Sequence, residues 1–116
     1  MSYDREKQIA IEAVVAAGKL CERVRSNIPA AMEKSDKSPV TVADYGAQAL
    51  ICKALSEAFP DDPIVGEEDA AALRQPEMAE NLTKVTNYVK EQLPDATSED
   101  VTGWIDRGNG KVSARY

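Results

Sequence analysis

The sequence predicts an α/β (α+β) chain that is mostly helix with a small strand contribution. Three observations predict it. Apolar and small residues recur at steps of three and four through several long segments. A single short apolar run, Ile64-Val65-Gly66, stands between a proline and three acids. Prolines and glycines punctuate the chain between these segments, at Pro60, Pro63, Pro94, Gly108 and Gly110.

The first helix is expected from Asp4 to between Ser26 and Pro29, with Ala10, Val14, Ala17, Cys21 and Val24 as its inward stripe. Its many alanines favour helix and let a neighbour approach closely. The polar stretch Glu33–Val40, with Pro39 inside it, predicts a loop. A second helix is expected from Thr41, capped by Thr41 with Asp44 three residues on, burying Ala47, Ile51, Ala54, Leu55 and Ala58. Phe59-Pro60-Asp61-Asp62-Pro63 stops it. Ile64–Gly66 then reads as a buried strand. A third helix is expected from Pro76 to Leu93, with Met78, Leu82, Val85 and Val89 inward and Pro94 as its stop, and a fourth from Ser98 to Asp106, capped by Ser98 with Asp100. The chain is read as one region, 1–116, of a single domain with no second domain.

Composition removes several functions. With 20 acids against 14 bases and a net charge of -6, the surface is not built to neutralise a nucleic-acid polymer. The chain has no histidine, so the commonest general base and the usual zinc ligand are missing, and chemistry would run on carboxylates. Cys21 and Cys52 fall in helical patterns without metal spacing, which predicts two reduced core thiols and a cytoplasmic protein. No apolar run approaches the roughly 20 residues that span a bilayer, so no membrane partner is expected.

Two places could carry carboxylate chemistry. Asp44 shares its helical phase with Ala47 and Ile51, so it enters the inward face, where it either interacts with the helix dipole in the first turn or holds and activates water. Glu67 and Glu68 leave the short apolar run through Gly66, either as solvated loop acids or as oxygen ligands for a hard cation such as Mg2+. In the second sense of each, the two places together would be two parts of a metal-assisted phosphoryl-transfer site, which needs further acids to be whole. Asp106, after Trp104-Ile105, reads as a helix-end residue.

The run from Lys34 to Gln48, Lys-Ser-Asp-Lys-Ser-Pro-Val-Thr-Val-Ala-Asp-Tyr-Gly-Ala-Gln, followed by Phe59-Pro60-Asp61-Asp62 and Val65-Gly66-Glu67-Glu68-Asp69, resembles the lithium-sensitive 3'(2'),5'-bisphosphate nucleotidases of the inositol monophosphatase superfamily. The resemblance implies the amino-terminal part of a layered αβαβα sandwich and hydrolysis of 3'-phosphoadenosine 5'-phosphate to AMP and phosphate, with the sulfated analogue and inositol polyphosphates as further substrates. It gives Asp44 the place of the acid that activates the attacking water, Glu67 that of a Mg2+ ligand, and Glu68 a weaker claim as its neighbour. The family's Asp-Pro-Ile-Asp-Gly-Thr block, which brings two more metal-binding aspartates and the catalytic threonine, is not in this sequence. The chain is therefore expected to be a fragment with little or no activity of its own. The alternative expectation is a non-catalytic helical module that binds a protein partner or another copy through uncovered apolar faces.

Overall fold

The computed structural model describes residues 3–28 and 38–110. Four helices follow one another: α1 (Asp4–Ser26), α2 (Ser38–Ala58), α3 (Ala79–Gln92) and α4 (Ser98–Asp106). A 3-10 turn at Pro76–Met78 leads into α3. α2 is the central element, lying along α1 and touching α3 and α4. The core runs from Leu20 and Val24 on α1, through Val42, Ala49 and Leu50 on α2, to Val85 and Val89 on α3 and Val101 and Ile105 on α4.

α2 begins at Ser38, three residues before the expected start, so Thr41 does not cap it. Pro39 falls in its first turn, where a missing N–H costs no intrahelical bond. Asp44 is consequently beyond the first turn, which contains no acid, and the helix-dipole account of this residue does not apply. Of the loop expected over Glu33–Val40, residues 38–40 are helical and 33–37 lie outside the described residues. The ending of α1 at Ser26 is as expected.

The buried stripe of α1 is Ala13, Ala17, Leu20 and Val24, rotated from the expected one, with which it shares only Ala17 and Val24. Val14 is 63% exposed and Cys21 is exposed. Close packing against α2 sets the rotation. Leu20 sits over Gly46, where a Cβ would stand 2.7 Å from Leu20 Cδ1, so the glycine is the hollow into which the leucine fits. On α2 the most buried residues are Val42, Tyr45, Ala49, Leu50 and Cys52, whereas Ala47, Ile51, Ala54, Leu55 and Ala58 are half-buried. The stripe read from the sequence is thus a second face of α2, and part of it lines a cavity.

α3 meets its expectation, with Val85 and Val89 buried, Leu82 and Met78 packed beside them, and the helix ending just before Pro94. α4 has the expected bounds but is capped one residue earlier. Thr97 Oγ1 accepts from Asp100 N at 3.0 Å, and Thr97 N donates to Asp100 Oδ2 at 3.0 Å. Ser98 Oγ pairs instead with the buried Thr86 hydroxyl at 3.0 Å, tying α4 to α3.

Ile64–Gly66 does not form the expected buried strand. Val65 makes one isolated antiparallel bridge with Asn109 and is 64% exposed. Gly66 N donates to Gly108 O at 2.7 Å and Gly110 N to Ile64 O at 2.8 Å. A strand needs a second neighbour to become sheet, and among the described residues only this turn pairs with it. Among the described residues the full sandwich is therefore not seen. The chain end from residue 111 lies outside the described residues.

The rotation of α1 has a measurable consequence. Leu20→Ala should cost about 2–5 kcal/mol of unfolding free energy by lost burial and a cavity. Val14→Ala should cost less than about 0.5 kcal/mol, because that side chain is exposed. Urea titrations of the two variants that gave equal losses would contradict the packing of Leu20 over Gly46.

Candidate functional site

On α2, Asp44, Ala47, Gln48 and Ile51 follow at steps of three, one and three, which places them on one face. Ile64, Val65, Gly66, Glu67 and Glu68 stand opposite, and the two walls enclose an open cavity of about 270 Å³. Asp44, Glu67 and Glu68, the three acids singled out by the sequence, all line it. Asp44 and Glu67 are exposed and Glu68 is half-buried.

Gln48 holds the two walls together. Its Nε2 donates to Glu68 O at 2.9 Å and to Ile105 O at 2.8 Å, while its Oε1 accepts from Glu68 N at 3.0 Å. One amide thereby serves three backbone groups on two segments and spends both its donors. Two glycines make room for it. A Cβ at Gly66 would lie 2.7 Å from Gln48 Oε1, and one at Gly108 would lie 2.5 Å from Gln48 Nε2. Sequence reasoning gave Gln48 no role. The available signal was an amide one helical turn after Asp44, on a face otherwise made of apolar residues and that acid.

The far end of the acid segment is fastened by α4. Asp106 Oδ1 accepts from Ala70 N at 3.1 Å, and Asp106 Oδ2 pairs with Arg74 Nη2 at 2.8 Å. The helix-end reading of Asp106 thus acquires a specific content, which is to hold the turn that follows the acids. Asp69 is used in that turn, accepting from Ala71 N at 2.6 Å.

Of the three acids, Glu68 feels its surroundings most directly. The Glu68 carboxyl is held above its ordinary 4.5, first by burial and then by the negative charges of Asp44 and Glu67. Tyr45, on α2, is pushed up by burial and by Glu68 and Asp69. Cys21 is pushed up by burial and then by Asp44. Burial also raises the Cys52 thiol, and both cysteines are free. Among the described residues, none of Asp44, Glu67 and Glu68 belongs to an ion pair.

The donor set suits a hard divalent cation in kind, since every charged group on the cavity wall is a carboxylate and Glu68 carries an unneutralised penalty that a cation would relieve. It falls short in number. Among the described residues no three His, Cys, Asp or Glu side chains stand close enough to hold a metal ion.

The sequence profile of the inositol monophosphatase family matches residues 3–106. The chain belongs to the inositol monophosphatase family. Similar proteins include the 3'(2'),5'-bisphosphate nucleotidase of Schizosaccharomyces pombe, 44% identical over 119 residues, which cover 97% of this chain and 33% of that protein. The 3'(2'),5'-bisphosphate nucleotidase of Emericella nidulans is 42% identical over 105 residues, 89% of this chain and 29% of the relative. The probable 3'(2'),5'-bisphosphate nucleotidase 3 of Arabidopsis thaliana is 37% identical over 124 residues, 96% of this chain and 35% of the relative. The chain spans about a third of the length of these family members.

Glu68 makes a prediction about pH. Its carboxyl binds a proton more tightly in the folded than in the unfolded chain, so between 4.5 and its raised folded value the folded state holds more protons. Stability attributable to Glu68 therefore falls as pH rises through that window and stays lowered at neutral pH. Glu68→Gln should raise the melting temperature at pH 7 and flatten this part of the pH profile. A lower melting temperature at pH 7 would mean that the side chain has a favourable partner.

Proposed function

We propose that this chain contributes the first carboxylates of a Mg2+-dependent phosphatase site that hydrolyses 3'-phosphoadenosine 5'-phosphate to AMP and phosphate, with the sulfated analogue as a second substrate. The observation that carries the reading is the convergence of Asp44 from α2 with Glu67 and Glu68 from the opposite wall of one cavity. The names of the relatives support the nucleotide substrate, and the carboxylate-only wall supports a hard cation. In this reading Asp44 accepts a hydrogen bond from the attacking water and orients it. Glu67 offers a carboxylate oxygen to the cation, and Glu68 adds negative charge beside it. A bound Mg2+ would supply charge neutralisation at the transferred phosphoryl group, the main catalytic device in such a reaction.

Three acids are part of a ligand set, so turnover by the isolated 116-residue chain is expected to be slight or nil. Among the described residues no helix is long and apolar enough to cross a membrane. The two free thiols support a cytoplasmic setting.

A second reading is favoured by one observation. Ile11, Val14 and Val15 are all exposed on α1, facing away from α2. A non-catalytic module binding a protein partner, or another copy of itself, would use such a face. Sedimentation of the chain as a monomer at tens of micromolar would count against self-association.

The cation reading predicts that Mg2+ raises the melting temperature of the chain, with a stabilisation of about 1.4 kcal/mol at roughly ten times its dissociation constant. Asp44→Asn and Glu67→Gln should each lose most of that rise while folding normally. A Mg2+ response equal in the parent and both variants would remove the site from this cavity.

A further inference from the structure

The acid segment has few means of its own to stay in place. Among the described residues its backbone makes one isolated bridge, and two of the polar groups flanking Glu68 are satisfied by the side chain of Gln48 instead of by a sheet ladder. The same carboxamide reaches Ile105 O, so its position is fixed from α4 as well as from α2. Gly66 and Gly108 lie against it from either side, close enough that a Cβ on either would collide with it. Gln48 also follows Asp44 by one helical turn, so an anchor for the acid segment and the acid opposite it are carried on one rigid element.

We propose that Gln48 is a positioning residue of the cation site: its carboxamide, wedged between Gly66 and Gly108, sets where Glu67 and Glu68 stand relative to Asp44. The proposal rests on the reading of the cavity as a cation site, and it adds a residue that carries no charge and donates nothing to the cation. It differs from a purely structural role in one respect. A positioning amide cannot be replaced by a carboxylate of the same size, because the carboxylate cannot donate to Glu68 O and Ile105 O. A cavity governed only by its charge would gain cation affinity from that added negative group.

The test uses the full 116-residue chain and its Gln48→Glu and Gln48→Met variants. Mg2+ affinity is measured by calorimetric titration, and amide hydrogen exchange by NMR in the metal-free protein. Both variants should bind Mg2+ about tenfold or more weakly, in line with the loss of buried hydrogen bonds. Exchange of the Glu68 amide should accelerate by a similar factor, while the Val85 and Val89 amides on α3 keep their protection. Equal or tighter Mg2+ binding by Gln48→Glu, or an unchanged Glu68 amide in Gln48→Met, would overturn the proposal. If the parent chain binds no Mg2+, the cation reading of the cavity fails, and the Glu68 amide alone decides whether Gln48 places the acid segment. If the Gln48 variants do not fold, Gly66→Ala keeps Gln48 and crowds its carboxamide. That variant should show the same weakening, and parent-like Mg2+ binding by it would overturn the proposal.

Discussion

Buried backbone polar groups must find partners, and between residues 64 and 70 the described residues provide almost no sheet for them. The Gln48 carboxamide takes that place, satisfying Glu68 N, Glu68 O and Ile105 O together. Other arrangements follow from this contact. α4 has to pass close to α2 for Ile105 to be reached, and the Gly66 and Gly108 backbones have to approach without side chains. Arg107, just past α4, strengthens the same approach by donating from Nε to Ser56 Oγ on α2 at 2.9 Å. The cavity exists because α2 and the acid segment are held at the length of one glutamine side chain.

That contact brings like charges together, and the structure carries the cost. The Glu68 carboxyl is raised, since burial first and then the charges of Asp44 and Glu67 disfavour its ionised form. Among the described residues, basic side chains on α2 and after the acid segment pair with other carboxylates. Arg74 pairs with Asp106, and Lys53 pairs with Glu57 and lies over the Trp104 ring. Repulsion of this kind in a cleft is a common mark of a functional site, because a fold selected for stability alone would disperse the acids or pair them. A proton relieves that repulsion, and a divalent cation in the cavity, as proposed, would relieve it too.

Elements were more legible in the sequence than their faces. α3 and α4 were readable because single strong signals bound them: Pro76 and Pro94 for one, and a capping acid with following glycines for the other. The rotation of α1 was not readable. Alanines and valines supply two adjacent stripes of similar hydropathy, and the choice is made by Leu20 meeting Gly46 from another helix. The start of α2 was obscured by Pro39, which reads as a breaker but is harmless in a first turn. The strand at Ile64–Gly66 failed for a related reason, since apolar character shows that a segment could pair but not whether its neighbour is present. At the site, helical phase correctly aligned Asp44 with Ala47 and Ile51, and all three line the cavity. Gln48 stayed hidden because its importance lies in backbone groups 20 and 57 residues away.

The two faces of this chain weigh differently as evidence of function. Exposed apolar residues such as Ile11, Val14 and Val15 are common on protein surfaces, and they acquire meaning only when something is known to cover them. The acid cavity demands more of the fold. It needs a helix with an acid and an amide one turn apart, two glycines at the points of closest approach, and a second anchor at Asp106. Each of these restricts the sequence, and together they maintain a geometry in which burial, and then the charges of Asp44 and Glu67, raise the Glu68 carboxyl. A cation bound there, as proposed, would offset that cost, because a ligand that binds the folded state alone stabilises it. The cavity therefore carries the functional argument for this member of the inositol monophosphatase family, and the apolar face of α1 remains secondary to it.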